Sequence, residues 1–347
     1  MSPPPGGTGG SAGTGGPSAE DLAGFRRGAE WAVVAGTALE LGIVDALASG
    51  PAAPADLAAR LELSGRGTGI LLGALETLGL VREEDGAVRL TGVGRARLVA
   101  RDTPDFEGDA LRFWLANLRR WTGGLADAVR TGEPAVGEED RLPEGIPAFM
   151  AAMANKRPAL IDAVVRACLD RVPDAASVLD LGGGPGTFSR GFAKRGLRAT
   201  LFDRPEVVEH VREAYGLAED PAVELRAGDF GEALPEGTFD IVLLANITHI
   251  YGPEANARLL ERAAGSVAPG GLLAILDFVR GEAPFASLFA VTMLLNSRHG
   301  GRTYDRAAYE RWLAAAGLAD VRLRAVDGER HLIGAVRRAA ERGERAG

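Results

Sequence analysis

Ser177-Val178-Leu179-Asp180-Leu181-Gly182-Gly183-Gly184-Pro185-Gly186 is a short apolar strand that runs straight into a glycine-rich turn. A brief apolar run ended by turn residues is the pattern of a strand buried on both faces. Glycines directly after it let the backbone approach a ligand closely at the carboxyl edge of a sheet. A dinucleotide fingerprint needs Gly at its sixth position, but counting from Gly182 that position is Thr187, and from Gly184 it is Ser189. No Gly-Lys-Ser or Gly-Lys-Thr follows, which excludes a P-loop.

Toward the C-terminus, a helix is expected after the turn, reaching Arg195 and capped by Gly196. Further strands are expected over 198–203, 223–226, 239–245 and 272–278, with helices over 205–215, opened by Pro205, and over 253–267. Such alternation calls for a parallel sheet with helices on both faces. The pattern changes after Asp305, which caps a helix ending at Gly317; segments 321–326 and 331–336 then flank Asp327-Gly328, a hairpin signal. The fold class expected is α/β, a Rossmann-like and mostly parallel sheet with an antiparallel C-terminal hairpin.

Toward the N-terminus, residues 106–170 read as connecting helices that contribute to a substrate pocket, and 19–105 as a separate helical domain. Residues 30–47 carry an apolar stripe around Trp31, Val34, Leu39 and Leu41. Two short helices over 54–61 and 64–78 precede two strands that flank Asp85-Gly86. Helix-turn-helix plus hairpin is the outline of a winged helix. Its second helix has one basic residue, Arg66, among Ile70, Leu71, Leu72 and Leu75. Phosphate contacts need Lys and Arg, so this face is read as packing against protein, not DNA. Residues 1–18, rich in Gly, Pro, Ser and Thr and without a basic or apolar leader, are expected to be a disordered tail. The expected plan is therefore 1–18 tail, 19–105 winged-helix-like dimerisation domain, 106–170 helical linker region and 171–340 catalytic domain.

Lys+Arg number 39 against 47 Asp+Glu in 347 residues, a formal net charge of −8. An acidic chain repels phosphate backbones, so no nucleic-acid partner is expected. The single cysteine, Cys168, cannot form an intrachain disulfide, which fits the cytoplasm, and its apolar helical setting reads as a buried small hydrophobe. No apolar run reaches the roughly 18 residues of a membrane span, so no membrane partner is expected.

Two acidic positions extend the reading of the glycine turn. Asp203 ends the second strand of the alternating region, where a carboxylate can accept both ribose hydroxyls. Gly228-Asp229-Phe230 ends the third, offering a carboxylate for an adenine amino group and an aromatic face for its ring. A nucleoside cofactor without phosphates needs no anion cradle, and S-adenosylmethionine is one. Asp180, Gly182, Gly184, Asp203, Asp229 and Phe230 are the expected cofactor residues.

From about residue 25 to residue 338 the chain resembles small-molecule O-methyltransferases of the caffeate and acetylserotonin type, including bacterial natural-product enzymes. The likeness lies in Val178 to Gly186, in Phe202-Asp203-Arg204-Pro205, in Gly228-Asp229-Phe230, in Pro269-Gly270-Gly271, and in Arg120-Trp121 with Ala128-Val129-Arg130-Thr131-Gly132-Glu133-Pro134. It implies a homodimer formed through the N-terminal domain. It also implies a base, His249, just past the fourth strand, and an acidic residue ending the fifth, Asp277, that orients it. Imidazole can take a phenol's proton at neutral pH while a carboxylate fixes its tautomer.

The chain departs from the family in two places. Ile250-Tyr251 stands where the family has Asp-Trp after the His. His299-Gly300-Gly301-Arg302-Thr303-Tyr304 has no Glu where the family's Gly-Gly-x-Glu-Arg-Thr supplies a second acid. Trp114, Phe149, Met150, Met153, Phe285, Phe289 and Met293 are expected to line the substrate pocket, with Asn246 and His299 beside them. An aromatic or polyketide-like natural product is the expected substrate, methylated on oxygen, with no metal required. Three alternatives stand beside it: C-methylation, with a metal held by His249 and His299; a repurposed S-adenosylmethionine-binding protein; and an NAD(P)-dependent oxidoreductase, against which the failed fingerprint argues.

Overall fold

The computed structural model describes residues 19–103, 105–134, 145–154 and 158–338. The tail expected over 1–18 lies outside the described residues. Contacts divide the chain into two compact units, residues 1–115 and 116–347.

The first unit begins with α1 (Ala19–Glu40) and α2 (Ile43–Ala48). These take the place of the single stripe expected over 30–47. Gly42 sits at φ 74 and its N–H returns to the Leu39 carbonyl, a left-handed residue that ends α1. The bend buries Leu39 but leaves Trp31 and Leu41 at 42% and 39% exposure. Next come α3 (Pro54–Arg60) and α4 (Gly65–Thr77), the latter capped by Ser64 Oγ, which accepts from Gly67 N–H at 3.3 Å. Strands β1 (Val81–Glu84) and β2 (Ala87–Leu90) form the expected hairpin. Both turn residues, Asp85 and Gly86, have positive φ (53 and 75), as a two-residue turn matched to strand twist requires. Helix α5 (Gly92–Leu98) follows. Leu39, Ile43, Leu47, Leu57, Leu75 and Val88 form the buried centre of this unit. Helix α6 (Gly108–Thr131) begins here and runs on into the second unit.

The second unit adds α7 (Gly145–Ala154) and α8 (Pro158–Leu169) before the sheet begins with β3 (Ser177–Leu181). Alternation then proceeds through α9 (Thr187–Ala193), β4 (Arg198–Asp203), α10 (Pro205–Ala214), β5 (Val223–Ala227), β6 (Phe239–Ala245), α11 (Pro253–Gly265) and β7 (Val267–Asp277). Then follow β8 (Val279–Arg280), α12 (Pro284–Asn296), β9 (Tyr304–Asp305), α13 (Arg306–Ala315), β10 (Leu318–Ala325) and β11 (His331–Arg337). The seven-stranded order is β10-β11-β7-β6-β3-β4-β5. Strands β7 to β5 in that order are parallel, and β11 is antiparallel to both of its neighbours.

Each face of the sheet is covered. Leu160, Val164, Phe188 and Val207 pack on one side, and Leu259, Leu260, Tyr309 and Leu313 on the other. Ile241 to Leu244 on β6 are fully buried, each such side chain contributing about 1.5–3 kcal/mol. The order reverses at β3, whose carboxyl end therefore opens a crevice, the usual ligand position in such sheets.

One local expectation changes, and the hairpin expected around Asp327-Gly328 forms with a side-chain brace. Strand β7 starts at Val267, five residues earlier than the apolar run suggested, because Pro269-Gly270-Gly271 is carried within it, with Gly270 at φ 83. The Asp327-Gly328 connection is closed by a side chain: Asp327 Oδ1 accepts from the Glu329 and Arg330 N–H groups at 2.8 and 2.6 Å. Among the described residues, no helix is long and apolar enough to cross a membrane.

Candidate active site

The glycine turn leaves β3 through three left-handed residues, Gly182, Gly184 and Gly186 (φ 67, 51 and 74). A Cβ on Gly182 would lie 2.4 Å from Ile247 Cδ1, and one on Gly186 would lie 2.6 Å from Leu217 Cδ1. Side chains are thus excluded by conformation and by space together. Asp180, fully buried, accepts from Ser189 N–H at 3.1 Å and from its hydroxyl at 2.7 Å through Oδ2, which braces the turn against α9.

Asp203, at the end of β4, is 8% exposed. Its Oδ2 accepts from Gly184 N–H at 2.9 Å and its Oδ1 from Arg204 N–H at 2.8 Å. Burial pushes its carboxyl above the usual range, and those two amides pull it partly back. Asp229 is exposed and its Oδ1 accepts from Gly231 N–H at 2.6 Å. Phe230 is buried, edge-on to Tyr251, with its ring 3.5 Å from the position of a Gly182 Cβ. Met150 lies over the same turn, its sulfur 3.7 Å from where a Gly184 Cβ would be. A carboxylate, an aromatic ring and a bare backbone therefore surround one turn, and this set fits a nucleoside whose charge is positive.

The second cluster grows from β6. Asn246, at φ 60, turns the chain out of the strand while its N–H donates to the Leu276 carbonyl at 2.8 Å. A single 3-10 turn, Thr248–Ile250, follows. His249 Nδ1 lies 2.7 Å from Asp277 Oδ1 at the end of β7. Asp277 is fully buried, and its two oxygens also meet the backbone N–H groups of His249 (3.1 Å) and Phe278 (2.8 Å) and the Thr248 hydroxyl. Burial alone would raise this carboxyl, but His249 and these donors outweigh it and hold it below the usual range. The bond to Asp277 assigns the ring proton to Nδ1 and makes Nε2 the basic nitrogen. Phe289 stands edge-on to the ring at 4.8 Å, and Phe278 is tilted to it at 6.3 Å.

The two segments that depart from the family pattern are joined here. Tyr251 bridges to Gly300, and a Cβ on Gly301 would strike the His249 carbonyl at 2.5 Å, so the Gly-Gly pair packs directly on the His249 turn. Arg302 is exposed, its Nε donating to the Gly300 carbonyl at 3.4 Å. His299 is exposed too, with its ring 5.5 Å from that of Tyr251, whereas His249 is buried against Phe289. Among the described residues, no group of three or more His, Cys, Asp and Glu side chains is gathered that could hold a metal ion. Met293 is half-buried on α12, and Phe149 and Met153 are half-buried on α7. Trp114 belongs to the first unit and is 38% exposed.

Three residues of this cluster went unnoticed in the sequence. Tyr309 hydroxyl and Thr248 Oγ1 lie 2.8 Å apart. Fully buried Asn256 donates to the Thr248 and Tyr251 carbonyls at 2.8 and 3.1 Å, and so fixes the turn. Asn256 on an otherwise alternating helix was the one available signal, since a buried amide needs partners.

Residues 129–319 match the O-methyltransferase domain, and residues 33–100 match the O-methyltransferase dimerisation domain. The tetracenomycin polyketide synthesis 8-O-methyl transferase TcmO of Streptomyces glaucescens is 30% identical over 306 residues, 84% of this chain and 89% of that protein. The 3-amino-4-hydroxybenzoate 4-O-methyltransferase of Streptomyces cremeus is 31% identical over 320 residues, 87% of this chain and 85% of that protein. The crystal structure of human N-acetylserotonin methyltransferase in complex with SAM superposes with a TM-score of 0.78 at 25% identity, over 94% of this chain and all of that one. With a glycine turn shaped for a nucleoside, a catalytic-domain match over more than half its length and a dimerisation domain ahead of it, the chain belongs to the S-adenosylmethionine-dependent O-methyltransferase family.

Proposed function

We propose that this enzyme methylates a hydroxyl oxygen on a small aromatic or polyketide-like natural product, with His249 as general base. The observation that carries the proposal is the 2.7 Å contact between His249 Nδ1 and a fully buried Asp277, on a ring walled by Phe289 and Phe278. The activities for which the Streptomyces relatives are named, on a polyketide and on a hydroxybenzoate, support the substrate class.

When bound, S-adenosylmethionine supplies an electrophilic methyl group. Asp203 would hold its ribose hydroxyls, Phe230 and Asp229 its adenine, and the backbone of Gly182 and Gly184 would allow it to lie close. His249 Nε2 takes the acceptor's hydroxyl proton as the oxygen–methyl bond replaces the methyl–sulfur bond, whose electron pair stays on sulfur, and Asp277 stabilises the resulting imidazolium. Phe278, Phe285 and Phe289, with ring centroids 4.3–6.0 Å apart, exclude water and offer faces to a planar acceptor. Everything else required is alignment of oxygen, methyl and sulfur.

A panel of phenols and polyketide phenols, assayed for S-adenosylhomocysteine release and mapped by NMR of the product, tests this proposal. A methyl group found on carbon or nitrogen would overturn it. The exposed Leu22, Phe25 and Ile70 of the first unit (56%, 66% and 61%), within or beside the matched dimerisation domain, support a homodimer. A monomeric mass by light scattering at micromolar concentration would refute that part.

A further inference from the structure

The buried oxygen atoms behind the base form a line. The Tyr309 hydroxyl meets Thr248 Oγ1 at 2.8 Å, Thr248 Oγ1 donates to Asp277 Oδ2, and Asp277 Oδ1 meets His249 Nδ1 at 2.7 Å. Because Thr248 spends its only proton on the carboxylate, its oxygen is left as an acceptor, and the proton between the two hydroxyls must come from Tyr309. Tyr309, Thr248 and Asp277 are each fully buried, so no solvent competes for these bonds. Burial and the nearby Asp277 charge push the Tyr309 hydroxyl well above its usual range, so it remains a donor. We propose that Thr248 and Tyr309 are positioning residues: a hydroxyl relay, running Tyr309 to Thr248 to Asp277, that fixes the carboxylate and sets how strongly it holds the base. Support thus reaches the Asp277 carboxylate from α13, through the Tyr309 hydroxyl.

The proposal rests on the reading of His249 as base. Its chemistry gives a direction. A carboxylate that loses a donor concentrates its charge on the remaining ones, so the His249–Asp277 hydrogen bond strengthens and the imidazolium is favoured. Other titratable or charged groups face this site. Tyr304 stands edge-on to Tyr309, His331 pairs with Asp277 across the β7–β11 ladder, and Arg330 lies over the Phe278 ring. None of them contributes a hydrogen bond to the Asp277 carboxylate.

The test is proton NMR of the full-length protein, following the His249 ring N–H bonded to Asp277, with His249→Ala used to assign the signal by its loss. Thr248→Val and Tyr309→Phe should each move it downfield, the latter less, while Thr248→Ser should restore the parent position. With an acceptor from the phenol panel, the acid limb of methyl transfer should move to higher pH by about half a unit in Thr248→Val. An unmoved signal and an unmoved acid limb in both Thr248→Val and Tyr309→Phe would overturn the relay. If Thr248→Val does not fold, Tyr309→Phe, which removes a single oxygen, carries the same comparison. Full turnover in His249→Ala would overturn the base reading and this proposal with it, a result that a shift in the relay variants does not mimic.

Discussion

Replacing Asp277 by Asn separates charge from shape where the structure brings four donors onto two oxygens. Those donors are the Thr248 hydroxyl and His249 N–H on Oδ2, and His249 Nδ1 and Phe278 N–H on Oδ1. An amide has one acceptor oxygen, so its NH2 must face one of the pairs. If NH2 takes the Oδ1 side, the imidazole must flip its tautomer to accept, which puts the proton on Nε2 and removes the base. If it takes the Oδ2 side, Thr248 can turn its hydroxyl to accept, but the His249 amide is orphaned. In either arrangement one buried N–H loses its partner, at a cost of about 1–3 kcal/mol. Methyl transfer should fall by roughly 10²–10⁴-fold, the usual span for a lost general base. Single-turnover transfer to a phenolic acceptor and denaturant unfolding measure the two effects. The stability gap between parent and variant should also depend on pH. Asp277 is held below its ordinary value in the fold, so its contribution is fully present above about pH 4 and is lost as pH falls through the lower folded value. The gap should therefore be wider at pH 7 than in strong acid. A rate within about tenfold of the parent, less than 1.4 kcal/mol of barrier, would refute the assignment of Asp277.

At Gly182, φ 67 and the 2.4 Å approach to Ile247 both forbid a side chain, so Gly182→Ala should weaken S-adenosylmethionine binding and lower the melting temperature; parent-like calorimetry would contradict the loop geometry. Burial raises the Asp203 carboxyl, so cofactor affinity should fall as pH drops through a value above 3.8. Asp203→Asn should bind about tenfold to a hundredfold more weakly, and without that pH dependence, by isothermal titration; parent-like affinity would remove Asp203 from the site. The Cys168 thiol is fully buried and pushed up to about 12, so it should resist maleimide labelling at pH 8 in the folded protein and react after unfolding; rapid labelling in the folded state would refute its burial.

Much of this architecture is legible in the sequence because it is local. The strand-to-glycine step at Leu181-Gly182, the Asp85-Gly86 hairpin and the Asp305 cap each depend on neighbours within a few residues. The break at Gly42 was hidden because apolar spacing continues across it from α1 to α2. The Asp327-Gly328 hairpin is legible because it too is local, and Asp327 braces it by accepting from two amides of its own turn. The relay could not be read at all. Positions 248, 277 and 309 carry ordinary residue types, and only the stacking of β6, β7 and α13 brings their oxygens together. Phe289 reads as a pocket-lining residue, whereas Phe278 reads only as the end of a strand until the fold sets both rings against His249.

Strand β11 lies between β10 and β7, although it is the last of the sheet to be reached along the chain. Until it is in place, β7 has no partner along one edge, and Asp277 sits at the end of that open edge. The strand that carries Asp277 is therefore covered along one edge by a segment that contributes neither the proposed base nor its carboxylate. A nascent or proteolytically nicked chain lacking β11 could hold every proposed catalytic residue and still present a bare, apolar β7 to other molecules. The same strand that backs Asp277 thus covers an edge that would otherwise be open to other chains.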